Sequence, residues 1–173
     1  MYPSVNTGCR PINPSRIRHE RPLLETDQHR LHRFRQFSGG DFGMIFISGE
    51  IVDKPDALSD VEYYKVKQHT QKGYEFLKQT GQFNEVALTI VRHHHERYDG
   101  NGYPTGIRGD AIPRSAQLSA ICDVYSALVT DRVYRKASSH ADAFKLMREE
   151  SKGGSFNEEL FKRFEEIMNA ARS

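Results

Sequence analysis

After residue 59 the apolar residues recur at three- and four-residue spacing, the period of an amphipathic α-helix. Ser59-Asp60-Val61-Glu62 is a capping box, with Ser at the N-cap and Glu three residues on. The spacing of Tyr63, Val66, Thr70, Gly73 and Leu77 behind it predicts one helix ending near Gly81. Asn84 caps a second helix carrying Val86, Ala87, Ile90, Val91 and His94. The stretch Asp99–Pro113 is dense in Gly and Pro and cannot continue it. A third helix has Pro113 in its first turn and Leu118, Ile121, Cys122, Tyr125 and Leu128 as its apolar positions. A fourth begins at Ser139-His140-Ala141-Asp142 and carries Ala143, Leu146 and Met147. A fifth begins at Asn157 and carries Leu160, Phe161, Phe164, Ile167 and Met168. Met44-Ile45-Phe46-Ile47 is an apolar run without alternation, compatible with a strand, a tight loop or a helix end. The class predicted is all-α, without an internal repeat.

Residues 1–39 break this pattern. Their basic residues are Arg without Lys (Arg10, Arg16, Arg18, Arg21, Arg30, Arg33, Arg35), and no apolar period develops. That composition reads as an irregular or disordered segment ahead of a domain at 40–173. An Arg-only stretch abutting a well-patterned domain also reads as a truncated or unrelated N-terminus.

The 173 residues suffice for one domain and are short for two. A net charge of +2 gives no argument for a DNA or membrane-surface partner. No apolar run reaches the roughly 18 residues of a membrane span, and no signal-peptide core follows the N-terminal arginines. Cys9 and Cys122 lack metal-ligand spacing and read as free thiols. A cytoplasmic location is the default expectation.

Chemistry concentrates in a few places, each with a plainer alternative. In His93-His94-His95-Glu96 the neighbouring side chains of a helix lie about 100° apart, so His94 and His95 can reach one side while His93 points elsewhere. With His and Asp from other helices they would build a nitrogen–oxygen site suited to iron or manganese rather than to structural zinc; the alternative is a polar helix end. His69, flanked by Val66, Gly73 and Phe76, is predicted mid-helix and inward, as a ligand or a hydrogen-bonded core residue. Asp123 sits within an apolar helix and must be paired, hydrogen-bonded or on a metal. Asp99-Gly100-Asn101-Gly102-Tyr103-Pro104 allows close backbone approach to a ligand, and Tyr103 offers a face for a nucleobase; the alternative is an ordinary surface loop. Arg132 and Arg135 suit bidentate phosphate contacts or a solvated helix end.

In this order and spacing, His69, His94-His95-Glu96, Asp99-Gly100-x-Gly102-Tyr103-Pro104, Ile112-Pro113, Asp123 and Asp131-Arg132-x-Tyr134-Arg135-Lys136 resemble the HD-GYP family of cyclic-di-GMP phosphodiesterases, from about Gly40 to Met168. The resemblance implies an all-α bundle holding two or more divalent metals, iron or manganese, that hydrolyses cyclic-di-GMP to the linear dinucleotide or GMP. By motif position, Asp41, His69, His94, His95 and Asp123 would be metal ligands, with Asp41 also catalytic. Gly102, Tyr103 and Pro104 would shape the substrate pocket, and Arg132 and Arg135 would hold phosphates. GGDEF-type diguanylate cyclase domains are the partner class linked to the family's Gly-Tyr-Pro loop.

The chain departs from the family upstream. Glu50-Ile51 and Lys54-Pro55 match the stretch that follows the namesake His-Asp pair, and counting back places that pair at Gly40-Asp41. The Asp is present and the His is Gly. The family's following Lys is Met44, and its second Asp after Asp123 is Ser126. Three readings follow: an enzyme with an atypical site, a degenerate module binding nucleotide or a partner protein without hydrolysis, and a non-functional fragment. If the side chains missing at 40 and 44 are what limits turnover, Gly40→His with Met44→Lys should raise it.

Overall fold

The structure is a computed structural model that describes residues 39–52, 54–131 and 136–172. The segment expected to be irregular therefore lies outside the described residues, except for Gly39. A 3-10 helix, Gly39–Phe46, opens the described chain. Seven α-helices follow: α1 Gly49–Val52, α2 Asp60–Lys67, α3 His69–Thr80, α4 Glu85–His93, α5 Arg114–Val129, α6 His140–Lys152 and α7 Glu158–Ala170. A short 3-10 turn, Gly109–Ala111, lies in the long loop before α5. The described residues contain no strand, so Met44-Ile45-Phe46 completes a helix.

The helix starts follow from local chemistry. Ser59, Asn84, Ser139 and Asn157 each accept a hydrogen bond from a first-turn backbone amide. At Ser59 the box is complete, since Glu62 accepts from the Ser59 amide and hydroxyl. The Lys54 ammonium donates to both Glu62 oxygens at 2.7 and 2.9 Å, and with the Ser59 bonds it lowers that carboxyl to about 2.

The single helix expected from Asp60 to Gly81 is divided at Gln68, and His69 opens α3 rather than lying mid-helix. Side chains there take carbonyls the helical ladder would use. The His69 ring bonds the Val66 carbonyl at 2.8 Å, and the Thr70 hydroxyl donates to the Lys67 carbonyl at 3.0 Å.

Three apolar clusters hold the helices together. Met44, Ile47, Ile51, Leu58 and Val66 pack the opening segments onto α2. Leu77, Leu88 and Val91, with Phe42 and Tyr74, join α3, α4 and the 3-10 helix. Ile121, Tyr125, Ala143, Phe144, Met147, Phe156 and Phe161 join α5, α6 and α7. Some predicted core positions lie on the wrong face. Val86, Leu118, Cys122, Leu146 and Ile167 are exposed, while Leu88 and Phe144 are buried. Cys122 carries a free thiol, and Cys9 lies outside the described residues. No described helix is long and apolar enough to cross a membrane.

The tightest approach is between the 3-10 helix and α3. A Cβ built on Gly43 would stand 1.8 Å from the His69 carbonyl oxygen, and one on Gly73 would stand 2.9 Å from Gly43 Cα. Only glycines permit this contact, which sets Asp41 beside His69.

Candidate metal centre

Asp41, His69, His94 and His95 converge, and one donor atom from each lies within 4.8 Å of every other. Asp41 Oδ1 is 3.7 Å from His69 Nε2, 3.5 Å from His94 Nε2 and 3.9 Å from His95 Nε2. His69 Nε2 and His94 Nε2 are 3.5 Å apart. His69 and His94 are buried; Asp41 and His95 are partly exposed, so the group opens on one side.

Two of the three histidines are aimed by their other nitrogen. His69 Nδ1 donates to the Val66 carbonyl, and His94 Nδ1 faces the Ile90 and Val91 carbonyls at 3.1 and 3.2 Å. A carbonyl only accepts, so the proton sits on Nδ1 and, in the neutral ring, Nε2 presents a lone pair. Burial, then the neighbouring His94, pushes His69 down to about 4, against the opposing pull of Asp41 and the Val66 bond. A neutral imidazole with a bare Nε2 is the form that binds a metal. With Nδ1 of His69 and His94 committed to carbonyls, their Nε2 atoms and the Asp41 carboxylate face one small volume, an arrangement a cation relieves.

The donor set fits a divalent ion. Bonds of about 2.0–2.2 Å give tetrahedral donor–donor edges of roughly 3.3–3.6 Å, near the 3.5–3.9 Å observed here. Three nitrogens and an oxygen without thiolate suit iron, manganese or zinc chemistry.

The histidine stretch divides as its spacing implies. α4 ends at His93, so His94 and His95 occupy the closing turn rather than the helix proper. His93 turns away, with Nδ1 3.7 Å from Glu96 Oε1. Buried Glu96 ties the cluster to the glycine-rich loop: its Oε1 accepts from the Thr105 amide at 2.8 Å and hydroxyl at 2.6 Å. Burial pushes the Glu96 carboxyl up, but the neighbouring His93 and the Thr105 bonds outweigh this and leave it below the ordinary value. The Tyr103 amide donates to the His95 carbonyl at 3.2 Å, and the two rings stack at 4.6 Å and 29°. Gly102 lies so close to the chain that a Cβ there would meet the Arg97 amide nitrogen at 2.3 Å. The Tyr103–Pro104 peptide is cis.

Asp123 lies on α5, half-buried, and is not one of the four converging residues. Arg132 and Arg135 lie outside the described residues. The sequence reading missed two participants. Lys67 holds its ammonium 4.3 Å above the Tyr63 ring and 5.4 Å from the Tyr103 ring. Its place two residues before His69 gave no sign of this, since the chain direction changes at Gln68. Thr105 was the other, and a buried Glu96 needing a donor was the available hint.

Residues 40–160 match the family model described as HD domain. A cyclic di-GMP phosphodiesterase of Pseudomonas aeruginosa is 36% identical over 72% of this chain and 30% of its own length. The cyclic di-GMP phosphodiesterase response regulator RpfG of Xanthomonas campestris is 42% identical over 56% of this chain and 26% of its own. A 3'3'-cGAMP-specific phosphodiesterase of Vibrio cholerae is 35% identical over 70% of this chain and 28% of its own. The chain thus spans less than a third of the length of these curated relatives. Among solved structures, Bd1817, an HDGYP protein from Bdellovibrio bacteriovorus, shares the fold with a TM-score of 0.57 at 21% identity, over 75% of this chain and 40% of that one. The family match and the four converging side chains meet on the same segment, and the chain belongs to the HD domain family, in its HD-GYP branch.

Proposed function

We propose that this domain, residues 40–173, is a metal-dependent phosphodiesterase that hydrolyses cyclic di-GMP to the linear dinucleotide or GMP. The observation that carries the reading is the convergence of Asp41, His69, His94 and His95, with the Nδ1 atoms of His69 and His94 committed to backbone carbonyls. These four would hold the ion, with iron or manganese favoured by the donor atoms. Bound there, such a cation supplies Lewis acidity and neutralises phosphate charge.

The protein's own groups do the remaining work. Tyr103, braced on His95, offers its ring beside the open side of the cluster. Gly102 and Pro104 shape the loop that carries it, and Glu96 pins that loop through Thr105. Lys67 brings a positive charge to the same rim, matching an anionic phosphodiester. Arg132 and Arg135 are assigned to phosphate by motif position, and Asp123 to the metal on the same ground. The family match beginning at residue 40 supports the domain boundary. A cytoplasmic setting and a GGDEF-type partner domain fit this substrate.

The test is metal content and turnover on one anaerobically purified sample. Cyclic di-GMP and 3'3'-cGAMP are supplied in parallel, because relatives named for each match the chain. Product that disappears on chelation and returns with iron or manganese supports the reading; chelator-insensitive turnover refutes it. A second reading, a module that binds the nucleotide without cleaving it, is favoured by Gly40 in the namesake histidine's place and by Asp123 outside the group. Stoichiometric nucleotide binding without product selects it.

A further inference from the structure

We propose that an apolar groove between the opening 3-10 helix, α3 and α4 is the docking site for this chain's own residues 31–38. The proposal is independent of the metal centre and of turnover. The groove has a volume of about 410 Å³ and is lined by Phe42, Leu77, Phe83, Ala87 and Ile90, together with Gly39. Apart from Gly39, every residue that lines it carries an apolar side chain. Phe83, on its wall, is 45% exposed. The apolar surface continues past the groove. The Phe42 ring stacks on Phe76 at 5.8 Å and meets Phe46 edge-on at 6.4 Å, and Phe46 and Phe76 are both exposed. A contiguous apolar surface of this kind marks a place where something docks.

Chain connectivity identifies the occupant. Gly39 lines the groove and Ser38 is bonded to it, so the preceding segment starts out from the groove itself. That segment reads Leu31-His32-Arg33-Phe34-Arg35-Gln36-Phe37-Ser38, with large apolar side chains set among basic and polar ones. An extended chain spans at most about 3.6 Å per residue, so Phe37 lies within roughly 7 Å of Gly39. Phe34 and Leu31 have chain enough to reach the far wall and the aromatic surface beyond it. A segment tethered this closely acts at an effective concentration near millimolar, far above that of a free partner. A second copy fits less well, because a stable interface buries about 800 Å² on each partner, whereas this groove takes only a few side chains. Docking here braces Phe42 and with it the helix that carries the neighbouring Asp41.

The experiment uses the full chain. It contains no Trp, so Phe83→Trp installs a single fluorescent reporter on the groove wall. With the segment docked, emission should be blue-shifted and resistant to acrylamide. Adding Leu31→Ser, Phe34→Ser and Phe37→Ser should red-shift the emission and speed quenching several-fold. Val5→Ser with Ile12→Ser, farther from Gly39 in the chain, should leave both unchanged. Circular dichroism establishes that each variant is folded. Hydrogen exchange gives a second readout that needs no reporter. In an otherwise unaltered chain the same three Ser substitutions should speed exchange of the amides of residues 87–91, on the helix that forms one wall. A reporter already exposed in the full chain, or quenching and exchange that do not respond to the three substitutions, would overturn the inference. Shielding that rises with protein concentration and survives the three substitutions would assign the groove to a second copy and overturn it equally.

Discussion

Gly43 lies against the backbone of His69 so closely that a Cβ on it would stand 1.8 Å from the His69 carbonyl oxygen. The contact fastens the 3-10 helix to α3, and Asp41 reaches His69 across it. Gly43→Ala should force the two backbones apart at a cost of about 3 kcal/mol or more, at the upper end for overpacking. Gly73→Ala overlaps less, at 2.9 Å from Gly43, and gains roughly 1 kcal/mol of helix propensity. Urea unfolding should rank Gly43→Ala as the more damaging. Equal midpoints for the two variants would mean that the packing differs in solution.

Stability of the metal-free chain should fall in mild acid. His69 titrates near 4 when folded, against an ordinary value of 6.5, because burial and His94 disfavour its charged form. Between those values the unfolded chain takes up a proton that the folded chain refuses. Stability contributed by His69 is therefore complete above about pH 6.5 and is lost as pH falls toward 4. The loss amounts to roughly 3 kcal/mol at most. Urea midpoints of chelated protein at pH 7, 6 and 5 should decline, and the decline should shrink in His69→Asn. The same slope in both proteins would assign the titration to another group.

Thr105→Val should loosen the glycine-rich loop without emptying the metal centre. The Thr105 hydroxyl bond is one of two that tie the loop to buried Glu96, and a hydrogen bond to a charged group contributes roughly 1.5–3 kcal/mol. Hydrogen exchange of the amides from Asn101 to Thr105 should quicken, and nucleotide binding should weaken several-fold while metal content stays constant. Thr105→Ser should behave like the unaltered protein. Loss of metal in Thr105→Val would show that the loop and the donor cluster are not separable.

Restoring the family's missing side chains should fail. Met44 is 4% exposed and packs with Ile47, Ile51, Leu58 and Val66, so Met44→Lys would carry an ammonium into an apolar cluster. A side chain at Gly40 overlaps His94. Gly40→His with Met44→Lys should lower the melting temperature by several degrees and give no gain in turnover of cyclic di-GMP. A gain would show that the opening helix can shift enough to free both positions.

Much of the architecture was legible from the chain alone because its causes are local. Ser59, Asn84, Ser139 and Asn157 mark helix starts through bonds closed within three residues. His94 and His95 could be separated from His93 by helical rotation, and Asp41 could be found by counting from Glu50-Ile51. The faces were less legible. Leu88 and Phe144 are buried where Val86 and Leu146 were expected, since a one- or two-residue change of phase rotates the buried stripe while leaving the period intact.

The tertiary structure decided what depends on approach between distant segments. The break at Gln68 arises where side-chain bonds compete with the helical ladder, and it lets His69 face Asp41. Met44 belongs to the core, and Asp123 stands outside the four converging residues, because helix packing sets where each side chain points. Gly40 looks in the sequence like a lost histidine. In the fold it is the space that the His94 ring fills, and excluded volume of this kind between residues far apart in the chain has no signature in either local pattern.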